Sequence, residues 1–448
     1  MDGRSGDLAD LSATAAAKSI RSRDISSEDL IAACLARIAE RDGDIQAWEY
    51  LDPDYALEQA RSADQRFAAG DAPGPLHGVP VAIKDIIATA DMPTQDGTPI
   101  HKGRQPERDA FCVRALREAG AIIIGKSVTT ELATLTPGKT RNPHNFEHTP
   151  GGSSSGSAAA VASGMTPLAL GTQTGGSVVR PASFCGIHGL KPTLGLISRT
   201  GVTMQSHTLD TVGVYGKSVR DLALITDVLA ASDPGDDVSY PRAPLNLAAR
   251  LDDAGQSRPR IAFCHTPAWD EAEAGAQAAI TELANALGDR CEHVAMAAEL
   301  DDITPVHHTI MAAENTHHFG PLQDKAGHLL SAALRQRLEA GSAITTRQYL
   351  DALSRREPMY RAFANLFERF DAVLCLSSPG PAPKGLGATG NPVFNSMWTY
   401  LGVPTVTLPL LEVDGLPLGA QLVGPRRGEV GLLQTAVWLE KAVQELRG

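Results

Sequence analysis

Short apolar runs rich in β-branched residues, set between helical patterns, narrow the fold more than any other feature. "VPVAIK" (79–84), "AIIIGK" (121–126), "TPLALGT" (166–172), "RIAFCH" (260–265), "CEHVAMA" (291–297), "DAVLCLS" (371–377), "PTVTLPL" (404–410) and "GAQLVG" (419–424) are too short for helices and too apolar for surface loops. They read as buried strands. Between them lie helical patterns: from Ser12 to about Phe67, around 110–120, in "SAAAVASGM", in "AAITELANALG", over 305–339 and 346–370, and from Gly431 onward. In "ISSEDLIAACLARIAERDG", Ser26 is the expected N-cap, Leu30, Ile31, Cys34, Leu35 and Ile38 share one face, and Gly43 is expected beyond the end. The alternation predicts one large α/β domain over 1–448, with a mixed, mostly parallel, twisted sheet covered by helices. Its expected parts are an N-terminal helical region (1–70), a core (71–220), a variable pocket-shaping region (221–370), and C-terminal strands and helix returning to the core (371–448).

Charge and targeting signals remove several function classes. A formal net charge of −12 leaves no basic face for nucleic acid. The six cysteines are scattered without a CxxC pair, as expected of reduced thiols. The start "MDGRSGDLADLS" lacks an apolar signal-peptide core, and no apolar run reaches membrane-spanning length. The expectation is a soluble, cytoplasmic protein.

Three short motifs suggest chemistry. "GAIIIGKS" (120–127) matches the phosphate-binding pattern G-x-x-x-x-G-K-[ST], but its interior isoleucines make the strand themselves and leave no glycine-rich loop. "GSSSG" (152–156) matches the nucleophile elbow around Ser154, with His207 and Asp210 as conceivable partners, yet a proline-containing loop precedes it where a strand is required. His307, Met311, Glu314 and His318 share a helical face, with His308 and His317 beside it. Their spacing is loose for zinc, and a polar, partly exposed flank is the expectation.

A different set draws on separate segments. Lys84 ends an apolar run, where desolvation would hold its amine neutral and let it replace histidine as general base. A lysine at a strand end also snorkels to water as readily. Ser153 opens a serine run, and Ser177 follows Thr174-Gly175-Gly176, whose small residues leave backbone N–H groups free to face an oxyanion. Each run taken alone is also an ordinary turn.

Three segments, "GPLHGVPVAIKD", "TPGGSSSGSAAAVASGMTPLALGTQTGGSVVRPASFCGIHGLKPT" and "VFNSMWTYLGVPTVTLPLLEVDGLPLGAQLVG", resemble the signatures of the amidase signature family. The resemblance implies that family's α/β fold and a Ser–cis-Ser–Lys triad. In that triad Ser177 is the nucleophile, Ser153 the bridging serine on a cis peptide, and Lys84 the base. The separation of 24 residues between the two serines agrees with the family's arrangement. It further implies acyl transfer with the N–H groups of Thr174, Gly175, Gly176 and Ser177 as oxyanion hole, Ser154 and Gln173 in support, and no metal or organic cofactor.

Two departures stand out. The commonest family form reads Asp-Thr-Gly-Gly-Ser-Ile-Arg-x-Pro, whereas this chain reads Gln173-Thr-Gly-Gly-Ser177-Val-Val179-Arg180-Pro, with the arginine one residue later. Malonamidase-like enzymes share this arrangement, and there the arginine meets a substrate carboxylate. Arg180 is therefore a candidate substrate contact, although an arginine holding a loop fits the position equally well. Ser155 stands where glycine is commoner. The loop "TTELATLTP" (129–137), with Ala133 as a candidate substrate contact, looks short, which would open the site to bulky amides, anilides and carbamates.

The leading expectation is thus a hydrolase of amide C–N bonds, with ester and carbamate cleavage by the same route. The expected partner is a small-molecule amide, anilide, ester or carbamate, and the candidate assembly is a homodimer. The alternatives are the amidase component of a glutamine-dependent amidotransferase, an elbow esterase using Ser154, and a non-catalytic nucleotide binder in which Lys126 meets phosphate.

Overall fold

Strand β2 (Pro80–Lys84) is buried at every residue and lies between β3 (Ile122–Ser127) and β4 (Leu168–Gln173), parallel to both. Two-sided burial explains why these runs are continuously apolar and do not alternate. Because β2 and β4 run the same way, with Ile83 opposite Leu170, Lys84 emerges beside the end of β4. Carboxyl ends of neighbouring parallel strands are where α/β sheets place their sites.

The computed structural model describes residues 8–252 and 258–447. The remaining strands are β1 (Trp48–Leu51), β5 (His188–Lys191), β6 (Thr211–Gly216), β7 (Ile261–His265), β8 (Cys291–Ala295), β9 (Ala372–Leu376), β10 (Thr405–Val413) and β11 (Leu416–Val423). They form one eleven-stranded sheet in the order β1-β3-β2-β4-β6-β5-β10-β11-β9-β7-β8. The sheet is mixed, as expected, but the expected parallel majority is corrected. Among the described residues only β2–β3, β2–β4, β7–β8 and β7–β9 pair in parallel, against six antiparallel pairs. The unforeseen strands β5 and β6 bring three of the six antiparallel pairs. Both are interrupted by glycine and lie between β4 and β10, and each of their pairings is antiparallel.

Helix boundaries follow local chemistry, with four corrections. Ser26 caps the helix Ser27–Ile45 in a capping box with Asp29, as expected. Gly43 lies inside that helix, which ends where Gln46 turns left-handed. The helical stretch expected to reach Phe67 is broken by β1, whose Trp48 ring N–H meets the Met165 sulfur at 3.3 Å. The helix expected over 305–339 is two, Ile303–Ala326 and Ala332–Ser342, the second restarted by the Ser331 cap. The stretch from Thr346 likewise splits into Thr346–Ser354 and Arg356–Ala364. Among the described residues no helix is long and apolar enough to cross a membrane.

Candidate active site

The site is built at the carboxyl ends of β2 and β4. Lys84 is wholly buried, and its Nζ lies 2.7 Å from Ser153 Oγ and 2.8 Å from Thr172 Oγ1. Burial pulls the amine well below the usual lysine range, and the charge of Asp210 opposes that pull. The strand-end lysine therefore does not snorkel to water. Thr172 had no signal in the sequence beyond its place at the end of a strand.

Ser153 follows a cis Gly152–Ser153 peptide and stands just before the helix Ser155–Ala162. Its neighbour Ser154 is fully buried, with Oγ accepting from the Thr172 N–H at 3.2 Å and donating to the Thr172 carbonyl at 3.3 Å. These bonds pin the serine loop to β4. The approach is so close that a side chain on Gly171 would meet Ser154 Oγ at 2.8 Å and Tyr215 at 2.7 Å. An elbow nucleophile is presented to solvent, and Ser154 is not placed as one. His207 is half-exposed and pairs with Asp237 at 2.8 Å, well removed from that role.

Ser177 is only partly buried, and among the described residues its hydroxyl has no hydrogen-bond partner. The loop leading to it is held from behind. His307 Nε2 donates to the Thr174 carbonyl at 2.8 Å, and Thr399 Oγ1 donates to the Gly175 carbonyl at 2.8 Å. Thr174 Oγ1 donates to Asp210 at 2.5 Å, and the Tyr215 hydroxyl donates to the Ser177 carbonyl at 3.1 Å. Among the described residues, the N–H groups of Thr174, Gly175, Gly176 and Ser177 donate to no protein acceptor. Carbonyls fixed on one side and unused N–H groups on the other form the arrangement an oxyanion needs. A side chain on Gly176 would meet Asn395 Oδ1 at 2.4 Å, which explains that glycine.

The substitution of Gln173 for the commoner acid has a local reason. Its Oε1 accepts from the N–H groups of Val178 and Val179 at 2.9 and 3.0 Å, and its Nε2 donates to Thr399 Oγ1 at 3.0 Å. One amide caps the helix Val179–Cys185 and orients the hydroxyl that holds Gly175. A carboxylate could do only the first.

Arg180 is 4% exposed. Its Nη2 donates to the Gly152 carbonyl at 2.6 Å and to Thr389 Oγ1 at 3.2 Å, so the loop-holding role is real. Its Nε and Nη1 are buried without a partner among the described residues. Burial pulls the guanidinium down to about 10, still charged at neutral pH. In the loop 129–137, Leu132 and Ala133 both adopt left-handed backbone, with φ of 46° and 56°. The Leu132 side chain is drawn into a cluster with Phe319, Leu330, Leu334 and Leu338, and the Ala133 carbonyl accepts from Gln205 Nε2 at 2.8 Å.

The remaining motifs resolve otherwise. Lys126 is buried on β3, paired with Asp85 at 3.3 Å and donating to the Ile87 and Pro93 carbonyls and Thr94 Oγ1, so it is not free for phosphate. The expected polar, partly exposed flank is corrected in part: His308 and His317 are exposed, but His307 and Glu314 are buried, His307 against the oxyanion loop and Glu314 accepting from Ser206, the Thr208 N–H and Tyr349. Among the described residues no His, Cys, Asp or Glu cluster could hold a metal ion.

Residues 29–433 match the family model for amidases. The chain is 34% identical to a glutamyl-tRNA(Gln) amidotransferase component of Symbiobacterium thermophilum, with 94% of each chain covered. It superposes on the native peptide amidase of Stenotrophomonas maltophilia with a TM-score of 0.85 at 29% identity, covering 98% of each chain. It also superposes, at a TM-score of 0.90 and 28% identity over 97% of this chain and 98% of the other, on a chain of a vestigial complex that bears on the origins of an s-triazine catabolic enzyme. Matched across nearly its whole length, the chain belongs to the amidase family, enzymes that act on amide C–N bonds.

Proposed function

We propose that this enzyme cleaves its amide through an acyl-enzyme on Ser177, with Ser153 and Lys84 relaying the proton. The observation that carries this reading is the Lys84 amine, buried and held at 2.7 Å from Ser153 Oγ among hydroxyls alone. Neutral Lys84 accepts the Ser153 proton while Ser153 takes the proton of Ser177. Ser177 Oγ attacks the carbonyl carbon, and the N–H groups of Thr174 to Ser177 receive the negative oxygen. The relay then runs backward, the leaving nitrogen takes the proton, and the C–N bond breaks. Water deprotonated by the same relay releases the acid and frees Ser177. Esters and carbamates fit the same steps.

Two settings suit this chemistry. Near full-length similarity to an amidotransferase component supports the first, in which a carboxamide such as that of glutamine is hydrolysed and the ammonia passes to a partner protein. Arg180 supports the second, a stand-alone amidase of the malonamidase-like branch. Its buried Nε and Nη1 lack partners and suit a carboxylate on the acyl group. The six cysteines, all buried and unpaired, fit a reducing cytoplasm for either setting.

Labelling with a fluorophosphonate, followed by peptide mapping, tests the nucleophile. The expected adduct is on Ser177 and is lost in Lys84→Ala, and an adduct on Ser154 would overturn the reading. Glutamine hydrolysis stimulated by a co-purifying protein identifies the first setting. Turnover of primary amides by the isolated chain, with KM raised in Arg180→Met, identifies the second.

A further inference from the structure

Asp210 lies outside the Ser–Ser–Lys set, yet two links join it to that set. It is a buried carboxylate on the turn just before β6. One oxygen accepts from Thr174 Oγ1 at 2.5 Å, and the other accepts from the N–H groups of Gln205 and Ser206 at 2.7 and 3.0 Å. Asp210 also lines a small cavity of about 10 Å³, whose polar lining includes Thr172, Thr174, Arg199, Gln205 and Thr211 beside the apolar Ile86, Val202 and Val212. That is about the space one water molecule needs, and the lining is polar enough to hold one.

Thr172 supplies the second link. Its Oγ1 accepts from Lys84 Nζ at 2.8 Å. A hydroxyl also donates, and among the described residues no acceptor other than the amine lies in reach of that proton. Thr172 and Asp210 both line the cavity.

The other charges nearby are already engaged. Asp85, next to Lys84 in the chain, faces Lys126 at 3.3 Å. Arg180 lies beyond the Gly152 carbonyl. Arg199, against Asp210, is paired with Asp236 at 2.7 Å. The charge left to act on the Lys84 amine is that of Asp210.

We propose that Asp210 is a positioning residue of this site: through Thr174 it fixes the oxyanion loop, and through Thr172 and the intervening cavity it acts on the Lys84 amine. One buried carboxylate then ties the two halves of the machinery, the loop that receives the oxyanion and the base that receives the proton. The inference rests on the relay proposed above.

The test measures the second-order rate of fluorophosphonate labelling at Ser177 across pH 5–9, in the full chain and in Asp210→Asn, Thr172→Val and the double variant. Labelling depends on the nucleophile and its base and needs no identified substrate. The wild-type rate is expected to rise with pH as Lys84 loses its proton. Removing the negative charge makes the ammonium less favourable, so the Asp210→Asn rise moves to lower pH by on the order of one unit. The maximal rate falls on the order of tenfold as the loop loosens. Because Asp210 acts through Thr172, the double variant shifts no further than Thr172→Val alone. Thr172→Val also serves alone if Asp210→Asn does not fold, and it must then move the rise in the same direction. A rate lowered equally at every pH with the rise unmoved, a wild-type profile flat over pH 5–9, or shifts that simply add in the double variant would each overturn the proposal. Absence of any wild-type adduct at Ser177 is a separate result, and it refutes the relay itself.

Discussion

Replacing His307 with glutamine tests how the oxyanion loop is supported. The imidazole is fully buried on the helix Ile303–Ala326, and its Nε2 sits 2.8 Å from the Thr174 carbonyl. A carbonyl only accepts, so Nε2 carries the hydrogen. Burial pulls the ring's pKa down to about 3, the Thr174 carbonyl opposes this, and the charges of His308, Arg337 and Arg356 add to the fall. The ring is therefore neutral throughout the working range. In the unfolded chain it titrates near 6.5. As pH falls below about 6.5 the unfolded state binds the proton and the folded state does not, so stability that is full above that pH drains away toward pH 3. At pH 4.5, two pH units at about 1.4 kcal/mol each make the loss roughly 3 kcal/mol.

Glutamine offers an amide N–H to the same carbonyl and does not titrate. At pH 7.5 the variant should be less stable than the wild type by about 1–2 kcal/mol for an imperfectly remade bond. At pH 4.5 that order should reverse. Urea unfolding followed by tryptophan fluorescence at both pH values measures the difference. His77, His265 and His318, whose pKa values burial also lowers, are common to both proteins and cancel. A wild-type-to-variant difference equal at the two pH values, within about 1 kcal/mol, would falsify the assignment of a neutral buried His307.

Further substitutions separate working residues from supporting ones. Lys84→Ala should slow labelling of Ser177 by about 10²–10⁴-fold, the range for losing a positioned base, and a milder effect would argue that solvent receives the proton. Ser154→Ala should cost about 1 kcal/mol in unfolding free energy while most activity survives, whereas complete inactivity of the folded variant would revive the elbow serine. Lys126→Met should lower stability by about 3–5 kcal/mol, because buried Asp85 loses the cation that holds its raised carboxyl down, and Asp85→Asn in the same chain should restore part of it. ATP should leave the wild-type melting temperature unchanged, and a rise abolished by Lys126→Met would contradict the structural role of that lysine. Gln173→Glu keeps the cap on Val178 and Val179 but loses the donor to Thr399, so kcat should fall about tenfold with KM nearly unchanged, read in steady-state assays.

How much of this was legible depended on whether the signal was local. The strand "VPVAIK" and the cap at Ser26 are written in consecutive residues, and the structure has both. Strand β5 is not, because "HGLK" has no alternation and exists only through its pairing with β6 and β10. The two serines and the lysine stand out through small-residue crowding and an apolar flank. Thr172, Asp210, Thr399 and His307 do not, since each acts through a partner between 36 and 224 residues away. His307 and Glu314 are visible as a helical face, yet the sequence pattern points that face to solvent. Nothing in their spacing reveals that the helix packs behind the oxyanion loop.

Three fully buried lysines show why pKa alone does not find the base. Lys84, Lys126 and Lys191 are each 0% exposed, and burial lowers all three pKa values, Lys191 to about 7. A search for perturbed amines would return them together. Their partners differ in kind. Lys126 faces the Asp85 carboxylate and two carbonyls, so its charge is neutralised in place and a proton given up would leave the carboxylate stranded. Lys191 donates to the carbonyls of Pro192 and Val403 at 3.0 and 2.5 Å, groups that accept but have no proton to return. Lys84 alone of the three has only hydroxyls, Ser153 and Thr172, as hydrogen-bond partners, and a hydroxyl can both give and take a proton. Burial makes an amine available as a base; neighbours able to exchange a proton, with no carboxylate to hold its charge, make it useful as one. Lys126 also donates to the Thr94 hydroxyl at 2.6 Å, but the Asp85 carboxylate at 3.3 Å holds its proton in place. By that criterion Lys126 and Lys191 are structural, and the relay through Lys84 follows from what surrounds the amine.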